Sequence, residues 1–343
     1  MERIRYIDYL RFFASFAVVF FHVSGSCGIQ LELSIRESLV MGLYHNLVTW
    51  CVPIFIMISG TLFLSPDREK NFIRLFSHNI LHLIIVWSFW SLVYALYQFI
   101  IYDDATIKGL IVHLLRGHFH QWFLWLMIGL YMLVPIVRIL VSNRKITEYY
   151  LILSLVFSFI IPFYLDTLRA FLPVLQPLIN IGEVWIDNTQ LSNLNGYCFY
   201  FVLGYYLHTY INTARAEKFF IVLGILAFLF NELLFYYCHL EDQRISFAVQ
   251  FISPTVLLES IAVFFIFKKM DCKFSGKCVM SKYSLGIYMI HMLVLYICMS
   301  LGFTMTSVPV VFGVPFISIM CFVISMVVIA VLYRIPFINK WII

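Results

Sequence analysis

Residues 7–25 read IDYLRFFASFAVVFFHVSG, an apolar run with one arginine, Arg11, near its start and one histidine, His22, near its end. A bilayer core of about 30 Å needs roughly 20 such residues in helical form. Charged residues precede the run, but no small-residue cleavage site follows it, so it reads as an uncleaved first span. Working outward, windows of similar length give nine further segments, at about 39–64, 79–102, 121–141, 149–168, 193–212, 218–240, 245–268, 284–302 and 309–333. The first segment covers about 9–29. Composition agrees, since 62% of the 343 residues are hydrophobic and only 12% are charged, with a mean hydropathy of +0.93. Soluble domains run nearer 45–50% apolar and about 25% charged. The reading is therefore an all-α polytopic membrane protein of about ten transmembrane helices, a single integral-membrane domain over residues 1–343. It excludes a soluble enzyme, a nucleic-acid binder and a secreted disulfide scaffold. Pro53, Pro135, Pro162 and Pro254 interrupt their runs, which membrane helices tolerate when neighbours satisfy the freed carbonyls.

Orientation follows from lysine and arginine in alternate loops. Of the 23 such residues, only Arg36, Lys108, Arg116, Arg169 and Arg244 fall on one side, and the other 18 share a side with Arg3, Arg5 and Arg11. Both termini are thereby expected in the cytoplasm. The eight cysteines form no C-x-x-C, and Cys272 and Cys278 in their Lys-rich loop lack the partners of a zinc site, so no metal is expected.

Ionisable groups inside a membrane are costly and mark functional sites by default. Arg11 and His22 are eleven residues apart, which is close to three helical turns, so they share one face about 16 Å apart along the axis. A permanent cation at the cytoplasmic mouth and an imidazole deeper in suit an anionic donor reaching inward to a point of proton transfer. The structural alternative pairs Arg11 with Asp8 as a topology anchor. Arg74, His78 and His82 form a basic stripe at the start of the third span, suited to phosphates or to simple interfacial anchoring. His291 in the ninth span reads alone as a packing residue. Glu259, and Glu232 beside Asn231, must pair or hold a proton, and each either orients a histidine or ties helices together. His113, His118, His120 and Trp122 straddle the outer interface, with His120 nearest the membrane.

These residues resemble a family. IDYLRFFASFAVVFFHVSG, with its R-x10-H spacing, looks like the first helix of the acyltransferase 3 family of membrane acyltransferases. Four collinear segments resemble it too. They are Val52-Pro53-Ile54-Phe55 with Ser59-Gly60, His120-Gln121-Trp122-Phe123-Leu124 with Gly129-Leu130-Tyr131, Leu203-Gly204-Tyr205, and Ser284-Leu285-Gly286-Ile287-Tyr288 with His291. The compact form is most similar to stand-alone surface-glycan O-acetyltransferases, and also resembles the membrane half of serine racemases of vancomycin resistance. Two departures stand out. Many relatives carry R-x-x-R at the start of the third helix, where this chain has Arg74, His78 and His82. Others carry an extracytoplasmic hydrolase-like domain, which these residues do not include.

The resemblance implies a bacterial inner-membrane enzyme that moves an acetyl group from cytoplasmic acetyl-CoA to a hydroxyl of a cell-surface or lipid-linked glycan. Acetyl-CoA is then a co-substrate, and no tightly bound cofactor is implied. Arg11, with Arg74, His78 and His82, would hold the donor phosphates, and His22 would act as general base, with a covalent acyl-imidazole as the variant. Tyr288, Asn231 and His291 are candidates for supporting the oxyanion. The competing readings are a proton-coupled transporter, whose inverted repeats are not visible in the sequence, and a non-catalytic membrane partner.

Overall fold

The structure, a computed structural model, describes residues 4–342 except 26–32, 66–72, 74, 102–105, 190–195, 241–249, 272–275 and 277, and gives only the backbone of 187 and 238–240. Every regular element among the described residues is helical. Helix α1 spans Arg5–Ser24, α2 Ile35–Val48 and α3 Cys51–Phe63. Helix α4 spans Leu75–Ile101 and opens with a π-helical turn over Leu75–Ile80. A short α5, Ile107–Arg116, and a 3-10 turn, Phe119–Gln121, lead into α6, Trp122–Val141. Then come α7 over Arg144–Phe171, α8 over Gln176–Thr189, α9 over Gly196–Tyr210 and α10 over Ala214–Leu240. The chain closes with α11 over Pro254–Lys269, α12 over Ser284–Ser300, α13 over Val310–Leu332 and α14 over Pro336–Trp341.

Local chemistry sets several starts. Ser34 and Glu37 make a reciprocal capping box on α2, Asn143 caps α7, and Thr106 caps α5, each satisfying amide donors that a helix start leaves open. Ser253 caps α11 with Pro254 in its first turn, where the missing proline N–H costs nothing. Pro254 therefore starts a helix rather than interrupting one.

Eight described helical stretches are long and apolar enough to cross a membrane, against the ten expected. The other two expected segments, 193–212 and 245–268, appear as α9 with 15 residues and α11 with 16. At 1.5 Å per residue these span about 22–24 Å, less than a bilayer core. Both are enclosed by protein: Phe199, Tyr200, Phe201 and Val202 in α9 and Phe264 and Phe265 in α11 are buried.

Helix α1 is the axis on which the site is built. Its first half, from Tyr6 to Ala14, packs into one apolar core with α3, α6, α9 and α11. Its second half, from Ala17 to Val23, packs into another with α4, α12 and α13. The end at which α1 starts also gathers basic residues. Arg5 pairs with Asp271 at 3.6 Å. The Lys268 ammonium donates to the Leu207 and Ile211 carbonyls at 2.9 and 2.7 Å, at the end of α9. Arg138 donates to the Phe63 carbonyl at 2.9 Å, where α3 and α6 finish together.

Between α4 and α6 the chain departs from the expected surface loop. Helix α5 packs back along α4, carrying residues 117–121 into the protein. Ser91 donates to the Gln121 side-chain oxygen at 2.9 Å, and the Tyr94 ring stacks on His118 at 4.3 Å. Those α4 residues lie seven to ten positions before Ile101, or about 10–15 Å short of that helix end. Non-helical backbone at membrane depth is stable only when enclosed by protein or lining a wet cavity. The Gly117–Gln121 turn meets that condition.

Candidate active site

Four histidines from three separate stretches converge. His22, from the last turn of α1, has its ring 5.1 Å from that of His291 on α12 and 6.4 Å from that of His120. His120 and His291 are 5.4 Å apart, and both are 0% exposed. His118 and His120 share a hydrogen bond of 2.6 Å between their Nδ1 atoms. Spacing alone left His291 as a packing residue and His120 at an interface, and the family resemblance offered them only as supporting or acceptor-side candidates. The α4–α5 reversal and the packing of α12 on α1 bring both to the depth of His22.

Hydrogen bonding determines the tautomer of His291. Its Nδ1 lies 2.7 Å from the Tyr288 carbonyl, and a carbonyl only accepts, so Nδ1 carries the proton. In the neutral ring Nε2 then holds the lone pair. That atom is buried and has no hydrogen-bond partner among the described residues, and the same holds for Nε2 of His120. Unpaired buried nitrogens are rare enough to require a reason, and proton transfer is one. The Tyr288 hydroxyl donates to the backbone carbonyl of His120, which pins the turn to α12.

Arg11 is reached from the basic end. It is half-buried and lines a cavity of about 420 Å³ with Ser59, Tyr131, Lys282, Phe123 and Tyr288. The cavity runs from the Arg11 level to Val18, one turn below His22 on α1. Its walls are mainly apolar, with the charge at Arg11 and Lys282. Ser59 and Tyr131 line it with Arg11. Asp8 is buried and accepts from the Ser281 hydroxyl at 3.4 Å.

The remaining sequence candidates lie elsewhere. Arg74 falls outside the described residues. His78 is exposed in the π-helical turn and His82 is half-buried just after it. Neither lines the Arg11 cavity, to which α4 contributes Leu83. The stripe was placed with α-helical spacing, and a wider π turn changes which residues share a face. Asn231 donates to Glu259 at 2.8 Å. The pair links α10 to α11, so Glu259 ties helices together. Trp122 stacks over Phe251 with ring centres 6.1 Å apart and borders a second cavity beyond the histidines. Among the described residues no cluster of three or more His, Cys, Asp or Glu is arranged to hold a metal ion.

Three contributors escaped sequence reasoning. Lys282 counted only towards orientation, while Ser59 and Tyr131 stood inside quoted motifs without a role. Nothing in residue type separates a lysine at a cavity mouth from one at a lipid headgroup.

A family model described as an acyltransferase domain, that of the acyltransferase 3 family, matches residues 4–334. No curated protein and no solved structure matches the chain.

Proposed function

The chain belongs to the acyltransferase 3 family of membrane acyltransferases, and from that premise we propose that it transfers an acetyl group from acetyl-CoA to a glycan hydroxyl at the histidine cluster. The observation that carries this reading is the run of the Arg11 cavity up to the turn of α1 below His22. A donor with phosphates at one end and a thioester on a long apolar arm has the charge distribution of those walls. In this reading Arg11 and Lys282 hold the phosphates. Coenzyme A is a cytoplasmic metabolite, which suits an Arg11 mouth on the lysine- and arginine-rich side of a bacterial inner membrane.

In the proposed step the acceptor oxygen attacks the thioester carbonyl carbon and its proton passes to a neutral imidazole. His22 is assigned that role because it borders both His291 and His120 and is not fully enclosed. The tetrahedral intermediate then collapses, the C–S bond breaks, and the proton moves to the leaving CoA sulfur. His291 and His120 hold the ring of His22 in a histidine-lined, water-poor pocket, where small electrostatic differences count for more. A covalent acyl-imidazole would need a second transfer from the same nitrogen, and nothing in the geometry calls for it. A proton-coupled carrier is a weaker reading, because Glu259, the most buried carboxyl it would use, is bonded to the Asn231 amide between α10 and α11.

The test is purified protein with radiolabelled acetyl-CoA and a panel of glycan and lipid-linked acceptors. Transfer is expected with the natural protein and not with His22→Ala, whose elution profile should be unchanged. Turnover by His22→Ala near the natural rate would remove the base assignment. A total absence of acetyl transfer across the panel would remove the donor or acceptor class.

A further inference from the structure

A second cavity, of about 710 Å³, is lined by Phe119, Gln121 and Trp122, shares no lining residue with the Arg11 cavity, and reaches His118. Its size is that of a small-molecule site. Its lining is unlike that of the donor side, with Trp87 and Trp125 packed edge-to-face at 5.1 Å, the amide of Gln121 and the guanidinium of Arg116. Among the described residues of that lining Arg116 is the one formally charged side chain, and none is a carboxylate.

Gln121 supplies the decisive detail. Its side-chain oxygen accepts from Ser91 at 2.9 Å and from the His118 amide at 2.9 Å. Both acceptor positions are thus used, which fixes the amide orientation and leaves the NH₂ end as donor only. Gln121 is 1% exposed, and that nitrogen has no partner among the described residues; the indole nitrogen of Trp87 is in the same position. The Gln121 amide and the Trp87 indole both border Gly117, which sits at φ 72° with the Gln121 oxygen 2.8 Å and the Trp87 nitrogen 2.9 Å from where a Cβ would stand. A side chain at 117 would be strained by the backbone and would cover the indole N–H. Buried donors without acceptors cost stability, so their concentration beside an arginine selects a ligand rich in acceptors.

We propose that this cavity is the acceptor site, and that it takes a sugar bearing an anionic oxygen group, phosphate or carboxylate, with Arg116 as its counter-charge. The inference rests on the acyltransferase reading for the word acceptor, but the binding it claims does not. Indole faces suit the C–H faces of a pyranose. Arg116 and the two N–H donors suit the anionic oxygens, which accept without donating. The ring of His118, in the cavity wall, is hydrogen-bonded to His120 of the histidine cluster, so this cavity is the one that borders the cluster from the side of the Phe119–Trp122 segment. Two sources share this chemistry, the phosphate of a lipid-linked sugar and the acidic group of a surface polymer.

Equilibrium binding decides it, read as quenching of tryptophan emission in full-length protein held in nanodiscs without acyl donor. The probes are glucose, glucose 1-phosphate, glucuronate and a polyprenyl-diphosphate-linked N-acetylglucosamine. At least one anionic probe should bind about 10-fold or more tightly than glucose. Preference for the lipid-linked probe supports the carrier as source, and preference for glucuronate or the free phosphate supports the polymer. Arg116→Gln should erase the preference for anions while leaving glucose binding and CoA binding unchanged, and Arg116→Lys should restore part of it. Arg116 is exposed at the end of α5, so the fold should survive, and an unchanged elution profile checks this. Equal binding of glucose and the charged probes, or a preference that survives in Arg116→Gln, would overturn the proposal. If the acyltransferase reading fails instead, no thioester is consumed with any acceptor while the charge-selective binding and its loss in Arg116→Gln persist.

Discussion

At the scale of single residues, arginine and histidine have different tasks on one helix face in the proposed reading. Arg11 cannot lose its charge, so it can mark a place for phosphate at any physiological pH. His22 can exchange a proton, and its neighbours determine how: the bond from His291 Nδ1 to the Tyr288 carbonyl leaves Nε2 as a lone pair aimed away from the helix backbone. Losing one charge-assisted contact typically costs about 1.5–3 kcal/mol, or about 10- to 150-fold. Arg11→Ala is therefore expected to raise the apparent KM for acetyl-CoA by that factor with little change in acceptor KM. Arg11→Lys should rescue only in part, because an ammonium keeps the charge and loses the planar fork. Steady-state kinetics with both substrates varied, joined to direct CoA binding, check this. Full rescue by lysine, with Asp8→Asn as harmful as Arg11→Ala, would instead identify Arg11 as a topology anchor.

At the scale of helices, the glycines of the recognised motifs separate into two kinds. A Cβ on Gly60 would stand 1.7 Å from the Phe201 carbonyl oxygen, and one on Gly204 would stand 2.1 Å from that of Met57. Helices α3 and α9 therefore touch backbone to backbone, the small-residue packing that lets helices associate without a hydrophobic driving force. Gly129, on α6, has nothing within 4 Å of its Cβ position. Gly204→Ala should destabilise the protein by at least the 1–3 kcal/mol typical of overpacking. Gly129→Ala should be neutral or stabilising, since alanine gains about 0.8–1 kcal/mol of helix propensity. Thermal midpoints in detergent, measured side by side, distinguish them; equal midpoints would mean that α3 and α9 do not approach as closely as described. The α4–α5 reversal is the other element-level device. It spends a helix of ten residues on returning one short turn to the middle of the molecule, and that turn carries His118, His120 and Gln121.

At the scale of the whole molecule, two cavities of different character approach one histidine cluster, one lined by Arg11 and Lys282 and reaching Val18, a turn below His22, the other lined by Arg116 and reaching His118. Such a layout fits a donor and an acceptor that approach from opposite membrane faces. It makes topology a quantitative matter, because Arg116 and Lys108 must then face away from Arg138 and Lys145. Cysteine introduced at Lys108 should react with a membrane-impermeant maleimide in intact spheroplasts, and cysteine at Lys145 only after permeabilisation. Reaction at both positions in intact cells would place the two cavities on one side and remove transfer across the membrane.

Membership of the class was legible in the chain itself. Hydrophobic runs of bilayer length, broken at regular intervals by cations, are properties of composition and order, and solvent transfer acts on them without reference to contacts. The Arg11–His22 face was legible too, because a helix has a fixed pitch and spacing alone aligns two of its residues. Which residues join them was not. His120 and His291 are about 100 and 270 positions from His22, and no local periodicity reports that a reversal after α4 and the packing of α12 on α1 bring their rings together. The tie between Asn231 and Glu259, 28 positions apart on neighbouring helices, and the company of Lys282 with Arg11 were hidden for the same reason. A polar side chain in an apolar run says only that it needs a partner. Tertiary packing chooses which one, since that choice depends on which helix faces meet.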